Sequence, residues 1–598
     1  MIHGLESLSD SNSRATLSRM YKPAPPRPKK TSIVRTRTGC RNCRARRKKC
    51  DEKKPSCTGC TRLGRRCDGY ATKMEFRSVS FDPTKSQDRQ TQMTESLRPS
   101  KELFYMNVWE NQCAPALHPA FRRLACLRGL SPVITDAMMA LAARQLSRLL
   151  PQARQVNPLD SPNLRSSFRP DVDQQSISGI FSSSAMRSVA RWTRVDFYRD
   201  STTALVVLTM FCCFETLMSN FYGFYLHSAA VETLLETHQG FLYEPDTYKH
   251  SFIAAWIQSR LHNWWRRFHF STGTFQRDHP PLSSLINQPA SSHLRPVLDR
   301  RVSVLMILCE SYRLSAAKLM LLCDDATDIG PITSHDDRIP SEKRETLWSQ
   351  LSYRLLDLQE QLNQQRKALS EWYAQLAPSE LPTDIHLTDY TNMSCQCDTL
   401  QIQPLLFESH DAAMNFAYYV TTQILQRTEF LDNFQPYHEL AENSNVGDAR
   451  DLTEKWVLIL LRIAAGINWD ACCRLNAYTV GLSGLLLACV LRSNDLAVSS
   501  WVQNWLTQRY QEGCLEEGSF PIFQILQVLQ IINEERSLGR HVYAVCQPTD
   551  DGGGMGKFDS YNSQQLGFVL VYGLCRRLNR FYSRQVTLEP LTSSSIQM

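Results

Sequence analysis

Six cysteines in one short stretch near the N-terminus have the spacing of metal ligands. The pattern C-x2-C-x6-C occurs twice, with six residues between the two copies, and comprises Cys40, Cys43, Cys50, Cys57, Cys60 and Cys67. The two thiolates of a C-x2-C pair can reach one tetrahedral metal ion from a single turn, and the third cysteine can return to it. Each half therefore supplies three sulfur ligands, whereas a closed structural zinc site needs four.

Two zinc ions that share two bridging thiolates would each obtain four ligands from these six cysteines. No histidine lies in the stretch to complete a mononuclear site instead. The alternatives are three disulfides, which a reducing compartment disfavours, or a chance cluster of buried thiols. We interpret the stretch as a site for two Zn²⁺ per chain, whose net negative charge the surrounding arginines and lysines offset.

The positive charge of the chain is concentrated around these cysteines. Residues 1–78 contain 21 Lys and Arg against 6 Asp and Glu, a net charge of +15, so the rest of the chain carries −7 out of a total of +8. A basic segment of this density attracts a polyanion, and for an intracellular protein the usual one is nucleic acid. The alternative is a solvated basic tail.

The cysteine stretch resembles the DNA-binding module of the fungal-type binuclear zinc cluster (Zn2Cys6) transcription factors. Its six cysteines match the pattern of that family in full, and Pro55 and Asp51 match the loop proline and the aspartate that follows the third cysteine. The resemblance implies that Cys40 and Cys57 bridge the two zinc ions. Cys43 and Cys50 would complete one site, and Cys60 and Cys67 the other.

The resemblance also implies how DNA would be read. A short helix that runs from Cys43 would enter the major groove at its N-terminal end, with Arg46 and Arg47 at the positions that reach bases, commonly in a CGG-type triplet. Arginine can donate to guanine O6 and N7 together, which favours GC-rich half-sites. The basic residues expected on this helix are Arg44, Arg46, Arg47, Lys48 and Lys49. Phosphate contacts are expected from Arg41, Lys53, Lys54, Arg62, Arg65 and Arg66.

Two features of the N-terminal region predict a nuclear protein. The first fourteen residues lack the apolar core of a secretory signal, so we expect the chain to remain inside the cell with reduced thiols. Basic residues at 29–30 and 46–49 resemble a bipartite nuclear address, although Arg27, Lys29 and Lys30 could instead form a DNA-binding arm.

The remaining chain predicts an all-α protein with a large helical body. We divide it into a disordered basic tail (1–37), the zinc module (38–70), a linker (71–97) and a helical regulatory domain (98–598). Apolar runs at 204–214 and 480–491 are too short to cross a bilayer and predict buried helices. Helical spacing is clearest at 253–268 and 523–532.

The predicted helical body has a start signal and several breaks. Asp451 and Glu454 have the spacing of a capping box, which predicts a helix start. Loops are expected near residues 155–183, 272–296, 327–344, 377–403 and 541–562. The body also shows a looser resemblance to the fungal-specific transcription factor domain, in HSAAVETLLETHQG and GLLLACVLRSNDLAVSSWVQNWL.

A heptad of large apolar residues predicts one long helix in the body. The spacing is broken only by Gln365 and comprises Trp348, Leu351, Leu355, Leu358, Leu362, Leu369, Trp372 and Leu376. The preferred interpretation is a helix that buries this stripe within the chain, and the alternative is a dimer seam. A homodimer is therefore possible.

Enzyme motifs do not match their consensus. GGGMGKF lacks both the first glycine and the Ser or Thr of a phosphate loop, and Leu485 replaces the last glycine of a nucleophile elbow. Paired thiols are interpreted as buried or incidental, with redox sensing as the alternative; they are Cys212, Cys213, Cys395, Cys397, Cys472 and Cys473.

These observations predict a nuclear, sequence-specific regulator of RNA polymerase II transcription, not an enzyme. Its expected partners are double-stranded DNA and the transcription machinery, with no membrane. Two other classes stay open at this point. One is a zinc-dependent RNA-binding protein, although such readers usually interleave aromatic residues for base stacking. The other is an enzyme in which the zinc cluster is only an anchor.

Overall fold

The chain divides into two compact units, over residues 1–84 and residues 85–598. The structure, a computed structural model, describes residues 40, 42–43, 46, 48, 50–51, 53, 56–64, 67, 102–124, 131–149, 171–218, 220–237, 247–269, 271–282, 299–328, 341–383, 400–428, 431, 445–518, 520–547, 568–578 and 580–588. The predicted tail (1–37) and linker (71–97) lie outside the described residues, so the four domain boundaries stay predictions.

Twelve helices of at least nine residues dominate the described part of the second unit, here called the body. They are α1 (Pro132–Leu149), α2 (Val172–Ala190), α3 (Ser201–Leu217), α4 (Phe221–Thr237), α5 (Thr247–His269), α6 (Arg300–Asp328), α7 (Ser341–Tyr373), α8 (His410–Leu425), α9 (Asn445–Gly466), α10 (Leu482–Val490), α11 (Leu496–Gln511) and α12 (Ile522–Ser537). This confirms the predicted largely helical fold.

Shorter elements connect the helices of the body. They include short α-helices at Ala114–Ala116, Arg194–Arg199, Gly273–Asp278 and Trp469–Leu475, and 3₁₀ and π segments at Pro119–Leu124, Pro378–Glu380 and Trp109–Cys113. The N-terminal unit contains the short helix Thr58–Thr61. The strands are β1 (Glu516–Glu517), β2 (Phe520–Pro521), β3 (Arg540–Cys546), β4 (Phe568–Cys575) and β5 (Arg580–Thr587). β1 and β2 form a small antiparallel ribbon, and β3, β4 and β5 form an antiparallel sheet in that order.

The centre of the body is built from helices that are apolar on every face. α3 buries 13 of its 17 residues, and every residue of α10 is buried. A helix surrounded by protein has no solvent-facing side that requires polar residues, so its sequence is a continuous apolar run. The two apolar runs at 204–214 and 480–491 are thus confirmed as buried helices.

Amphipathic helices surround this centre. The helical spacing predicted at 253–268 and 523–532 lies on α5 and α12, and all its apolar members are buried. On α7 the predicted stripe from Leu351 to Trp372 is also buried inside the chain. It packs against α6 and the sheet through Leu355, Leu358 and Leu362, and against the main core through Leu369 and Trp372. The interpretation as a buried stripe is therefore confirmed for the members from Leu351 to Trp372. Leu376 follows the end of α7 and is half-buried, and the side chain of Trp348 lies outside the described part of the structure.

The sheet near the C-terminus was not predicted, because its strands carry little two-residue alternation. Six of the seven residues of β3 are buried, and the register with β4 shifts between Val542 and Ala544. A strand covered on both faces reads as an apolar run, which periodicity cannot distinguish from a helix segment. The loop expected at 541–562 is therefore wrong over 541–546.

Two other local predictions need correction. The loop expected at 155–183 is wrong from Val172 onward, where α2 begins and packs on α1. Two of its serines donate to α1: Ser178 Oγ to the Ala140 carbonyl at 2.8 Å and Ser184 Oγ to the Asp136 carboxylate at 2.6 Å. The predicted helix start at Asp451 is also wrong, since α9 begins at Asn445. The Glu454 carboxylate instead accepts a hydrogen bond from Ser493 Oγ.

No single helix among the described residues has the length and apolar composition to cross a bilayer. One bent pair, Leu452–Gly466 and Trp469–Leu475, meets the length and composition criteria when taken together, with an angle of 92° between its halves.

Candidate metal centre and nucleic-acid interface

The second cysteine pair of the N-terminal unit is held by a short helix with a carboxylate cap. Cys57 is extended (φ −69°, ψ 146°) and the helix Thr58–Thr61 follows it directly. The Thr58 amide donates to both Asp51 carboxylate oxygens, at 3.1 and 3.2 Å. Hydrogen bonding from the Thr58 side chain, together with that from its amide, lowers the pKa of Asp51. Asp51, which follows the third cysteine, therefore ties the first half of the repeat to the second.

The six sulfur atoms form two overlapping groups. Cys57 Sγ lies 3.6 Å from Cys40 Sγ and 3.6 Å from Cys43 Sγ, and Cys40 Sγ lies 3.7 Å from Cys60 Sγ. Within each group, all four ligand atoms lie within 4.8 Å of one another. One group comprises Cys40, Cys43, Cys50 and Cys57, and the other comprises Cys40, Cys57, Cys60 and Cys67. Cys40 and Cys57 belong to both groups, which is the arrangement that two bridging ligands require.

Four-sulfur groups are the donor sets that structural zinc prefers. The sulfurs present therefore fit two Zn²⁺ ions, and the expected cofactor is confirmed. When bound, zinc crosslinks the two halves of the repeat through its ligands, and it does so without redox chemistry of its own.

The cluster is shielded from solvent at its centre and open at its ends. Cys40, Cys43, Cys57 and Cys60 are buried, whereas Cys50 and Cys67 are half-buried. Burial raises the pKa of Cys40 and Cys57, and the hydrogen bond with Cys57 raises the pKa of Cys60. Without metal these groups are neutral thiols near pH 7, so zinc binding must release protons.

The basic residues that the structure describes differ in their surroundings. Arg46 is half-buried, and its Nη2 and Nε atoms donate to Cys43 Sγ at 3.8 Å and to the Asn42 carbonyl at 3.4 Å. Lys48, Lys53 and Arg62 are exposed. The predicted base-reading residue Arg46 therefore also places positive charge on a metal ligand.

Most of the predicted DNA contacts lie outside the described residues. They are Arg41, Arg44, Arg47, Lys49, Lys54, Arg65 and Arg66. Their roles stay predictions.

The capping role of Asp51 is a feature that sequence reasoning missed. Asp51 was matched to the family without a role. A signal for it exists in the repeat itself, because an aspartate follows the third cysteine of each half, at Asp51 and Asp68.

The paired thiols of the body are mostly buried. Cys212, Cys213 and Cys472 are buried, and burial raises the pKa of Cys213 to about 12 and that of the other two well above the ordinary value. Cys395 and Cys397 lie outside the described residues. Cys473 is the exception, because it forms a disulfide with Cys514. Its interpretation as a buried or incidental thiol is therefore wrong, and redox sensing stays the alternative.

Comparisons with known proteins agree with this geometry. Residues 38–75 match the profile of the fungal Zn(2)-Cys(6) binuclear cluster domain. The transcriptional regulatory protein moc3 of Schizosaccharomyces pombe is 54% identical over 54 residues, which are 8% of this chain and 10% of that protein. The pestheic acid cluster transcriptional regulator 3 of Pestalotiopsis fici is 56% identical over 43 residues, 7% of this chain and 8% of that protein.

A third relative is more distant in sequence. The arginine metabolism regulation protein II of Saccharomyces cerevisiae is 40% identical over 57 residues, 9% of this chain and 6% of that protein. These matches cover a tenth or less of each relative, and no solved structure matches the chain. The cysteine spacing, the two overlapping groups of sulfurs and the family match all lead to the same conclusion: this chain carries a fungal Zn(2)-Cys(6) binuclear cluster domain over residues 38–75.

Proposed function

We propose that this protein is a nuclear, sequence-specific DNA-binding transcription factor that regulates RNA polymerase II transcription. The observation that carries the proposal is the pair of four-sulfur groups sharing Cys40 and Cys57, within a segment that matches the binuclear cluster domain. The names of the relatives describe regulators of transcription, and the matched stretches cover 7–8% of this chain. The helical body would then connect DNA binding to the transcription machinery.

The charge around the cluster supports DNA as the ligand. Between Cys40 and Cys67 there are eleven Lys and Arg residues against two acidic residues, Asp51 and Glu52. The Asp51 carboxylate is occupied by the Thr58 amide, so it caps a helix instead of opposing a phosphate. A surface of this kind binds the DNA backbone electrostatically, with an affinity that falls as salt is added.

Sequence preference would come from the segment between Cys43 and Cys50. Its basic residues lie between two metal ligands in the sequence, so bound zinc would fix the backbone that carries them. We assign Arg44, Arg46, Arg47, Lys48 and Lys49 to the major groove of a GC-rich, CGG-like half-site. Arg41, Lys53, Lys54, Arg65 and Arg66 are assigned to phosphates. Cys40 and Cys57 are assigned as the bridging ligands.

Two other classes of function are compatible with a zinc module. A zinc-dependent RNA-binding protein would use stacked aromatics, and the stretch from Cys40 to Cys67 contains no aromatic residue. An enzyme would need a catalytic group. Ser483, in the glycine-flanked sequence Gly481-Leu-Ser-Gly, is fully buried, and its hydroxyl donates to the Glu517 carboxylate at 2.7 Å. It is therefore a structural hydroxyl.

The test is a selection with the full-length, zinc-loaded protein. A library of random-sequence duplexes and a library of single-stranded RNA are offered at about 0.15 M salt, and the bound molecules are sequenced. We expect retained duplexes enriched in CGG-like triplets and little retention of RNA. A Cys57→Ser variant, which lacks one bridging ligand, is the control: it should contain fewer than two zinc ions by elemental analysis and should lose the enrichment.

Two results would contradict the proposal. Equal retention of RNA and duplex would favour the RNA-binding class. Retention of duplexes without enrichment of any sequence would show a basic surface that does not read bases. If Cys57→Ser kept two zinc ions, the assignment of Cys57 as a bridging ligand would be wrong.

A further inference from the structure

Cys473 and Cys514 form a disulfide in the body, more than 400 residues after the cysteines of the zinc cluster in the sequence. Cys473 lies on the short helix Trp469–Leu475, and Cys514 lies three residues after the end of α11. The two cysteines are 41 residues apart in sequence, and α10 and α11 lie between them. Both residues are half-buried, so solvent and small oxidants can reach them.

Most of the other described cysteines of the body are buried. Cys113, Cys212, Cys213, Cys309, Cys323, Cys472, Cys489 and Cys546 are buried, and Cys575 is half-buried. Burial disfavours the thiolate, which is the form that reacts with oxidants. Cys472 is buried and unpaired beside Cys473, so the neighbouring residue provides an internal comparison.

A second, non-covalent contact holds the same two segments together. Asn476, which follows the short helix, donates from Nδ2 to the Glu517 carboxylate of β1 at 2.7 Å. On the same side, the ring centroids of Trp469 and Trp505 are 5.0 Å apart. These two contacts join the flanking segments independently of the sulfur–sulfur bond.

We propose that Cys473 and Cys514 are an oxidant-responsive pair that forms a reversible disulfide. This proposal rests on the proposed nuclear function, because the nucleus is a reducing compartment in which the pair would rest as two thiols. One thiolate attacks hydrogen peroxide to form a sulfenic acid, with the second peroxide oxygen leaving as water after protonation. The other thiol then displaces water from the sulfenic sulfur and forms the disulfide. In sum, two thiols and one peroxide give one disulfide and two waters.

Reduction returns the pair to its resting state. Two molecules of glutathione supply two electrons and two protons, through a mixed disulfide, and leave as glutathione disulfide. The crosslink closes a long loop, so the oxidised body should unfold at a higher temperature than the reduced body.

The experiment uses the full-length, zinc-loaded protein in glutathione buffers of increasing oxidised fraction, and separately in dilute hydrogen peroxide. Free thiols are alkylated under denaturing conditions, and peptides are mapped by mass spectrometry. We expect a crosslinked peptide that joins the segment containing Cys473 to the segment containing Cys514, with the loss of two hydrogens. It should disappear in excess reduced glutathione. Thermal unfolding of the oxidised and reduced proteins gives a second readout, with a melting temperature a few degrees higher for the oxidised form.

Matched variants identify the pair. Cys472→Ser should still form the crosslink, which also assigns it to Cys473 because both residues lie in one tryptic peptide. Cys473→Ser and Cys514→Ser should each abolish both the crosslink and the difference in melting temperature. None of these readouts depends on DNA binding, so the redox proposal can fail while the proposed function stands.

Three results would overturn the proposal. In the first, both thiols are fully alkylated in every buffer. In the second, Cys514 pairs with Cys472 or with another chain. In the third, the crosslink resists excess reduced glutathione, which would make it a permanent structural bond.

Discussion

Arg46 stands at the boundary between the metal centre and the expected DNA surface. Its guanidinium donates to Cys43 Sγ and to the Asn42 carbonyl, through Nη2 and Nε. A guanidinium has five N–H groups, so the remaining donors can still point away from the cluster. One arginine can thus offset thiolate charge and face a ligand, which makes its loss hard to interpret. Arg47 is the cleaner probe of base reading.

The residue-scale prediction concerns Arg47, for which the sequence assigns a base contact. If its guanidinium donates to guanine, Arg47→Ala should weaken binding to the preferred site by about 1–3 kcal/mol and relax specificity at one position. Titration of labelled duplexes with specific and random sequence measures both effects. Arg65→Ala is the control, because loss of a phosphate contact should weaken all duplexes alike. Equal losses for Arg47→Ala on both duplexes would make Arg47 a phosphate contact.

At the scale of elements, the N-terminus of α10 shows how a buried carboxylate organises its neighbours. Glu517 is buried, and its carboxylate accepts hydrogen bonds from the Leu482 amide at 2.9 Å, the Ser483 amide at 2.9 Å and Asn476 Nδ2 at 2.7 Å. The first amides of a helix have no partner within the helix, so this carboxylate satisfies two of them. The cap requires a close approach at Gly481.

The first element-scale prediction compares two glycine substitutions. A Cβ at Gly481 would lie 2.4 Å from Glu517 Oε2, so Gly481→Ala should displace the cap and destabilise the body by about 1–3 kcal/mol. Gly179 lies inside α2, and a Cβ there meets nothing within 4 Å. Gly179→Ala should therefore stabilise by about 0.5–1 kcal/mol. Chemical denaturation measures both. A neutral Gly481→Ala would show that the cap can move.

A second carboxylate attaches the sheet to α12. Glu535 accepts hydrogen bonds from Arg540 at 2.5 and 2.9 Å, from Tyr582 Oη at 3.0 Å and from Arg584 at 2.9 Å. Burial alone would raise the pKa of Glu535, but the hydrogen bonds from Arg540 and Tyr582 outweigh it and lower the pKa below its ordinary value of 4.5. The folded protein therefore favours the ionised form.

The second element-scale prediction follows from the sign of that shift. A carboxyl whose pKa is lower in the folded state stabilises the protein above its unfolded pKa, and this stability is lost as the pH falls through the folded value. Glu535→Gln should therefore reduce the loss of melting temperature on acidification below about pH 4.5. Glu534→Gln is the control, because Glu534 is exposed. If both variants keep the wild-type dependence on pH, Glu535 does not contribute.

At the scale of the whole molecule, the packing of α7 shows whether its apolar stripe belongs to the core or to a dimer seam. Its apolar stripe packs against α6 and shares one buried cluster with residues of the sheet, through Leu351, Leu355, Leu358 and Leu362. This part of the heptad is therefore buried within the body. If the protein forms a homodimer, other surfaces must carry it. Two adjacent leucines mark the two faces of α7: Leu355 on the buried face is 5% exposed, and Leu356 on the outer face is 70% exposed.

The whole-molecule prediction uses that adjacent pair. Leu355→Glu places a charge in the core and should destabilise the body by more than about 3 kcal/mol, whereas Leu356→Glu should change stability by less than about 0.5 kcal/mol. Denaturant titration gives the stability, and light scattering gives the mass. A Leu355→Glu variant that stays folded and turns from dimer to monomer would restore the dimer seam.

The metal ligands and the buried helices could be predicted from the sequence because both signals are local. The six cysteines lie between residues 40 and 67, and the spacing of each half already contains the geometry of a tetrahedral site. The apolar runs within α3 and α10 likewise need no knowledge of their neighbours, because a helix buried on all sides is apolar throughout.

Only the tertiary structure decided features whose partners are distant in sequence. Strand β3 lacks alternation because it is covered on both faces, and the serine-rich α2 packs as a helix in which Ser178 and Ser184 donate to α1. The heptad of α7 fits a core and a dimer equally until α6 is seen to cover it. Cys473 meets Cys514 across 41 residues that no local pattern connects. In each case the deciding contact is set by packing of the whole chain.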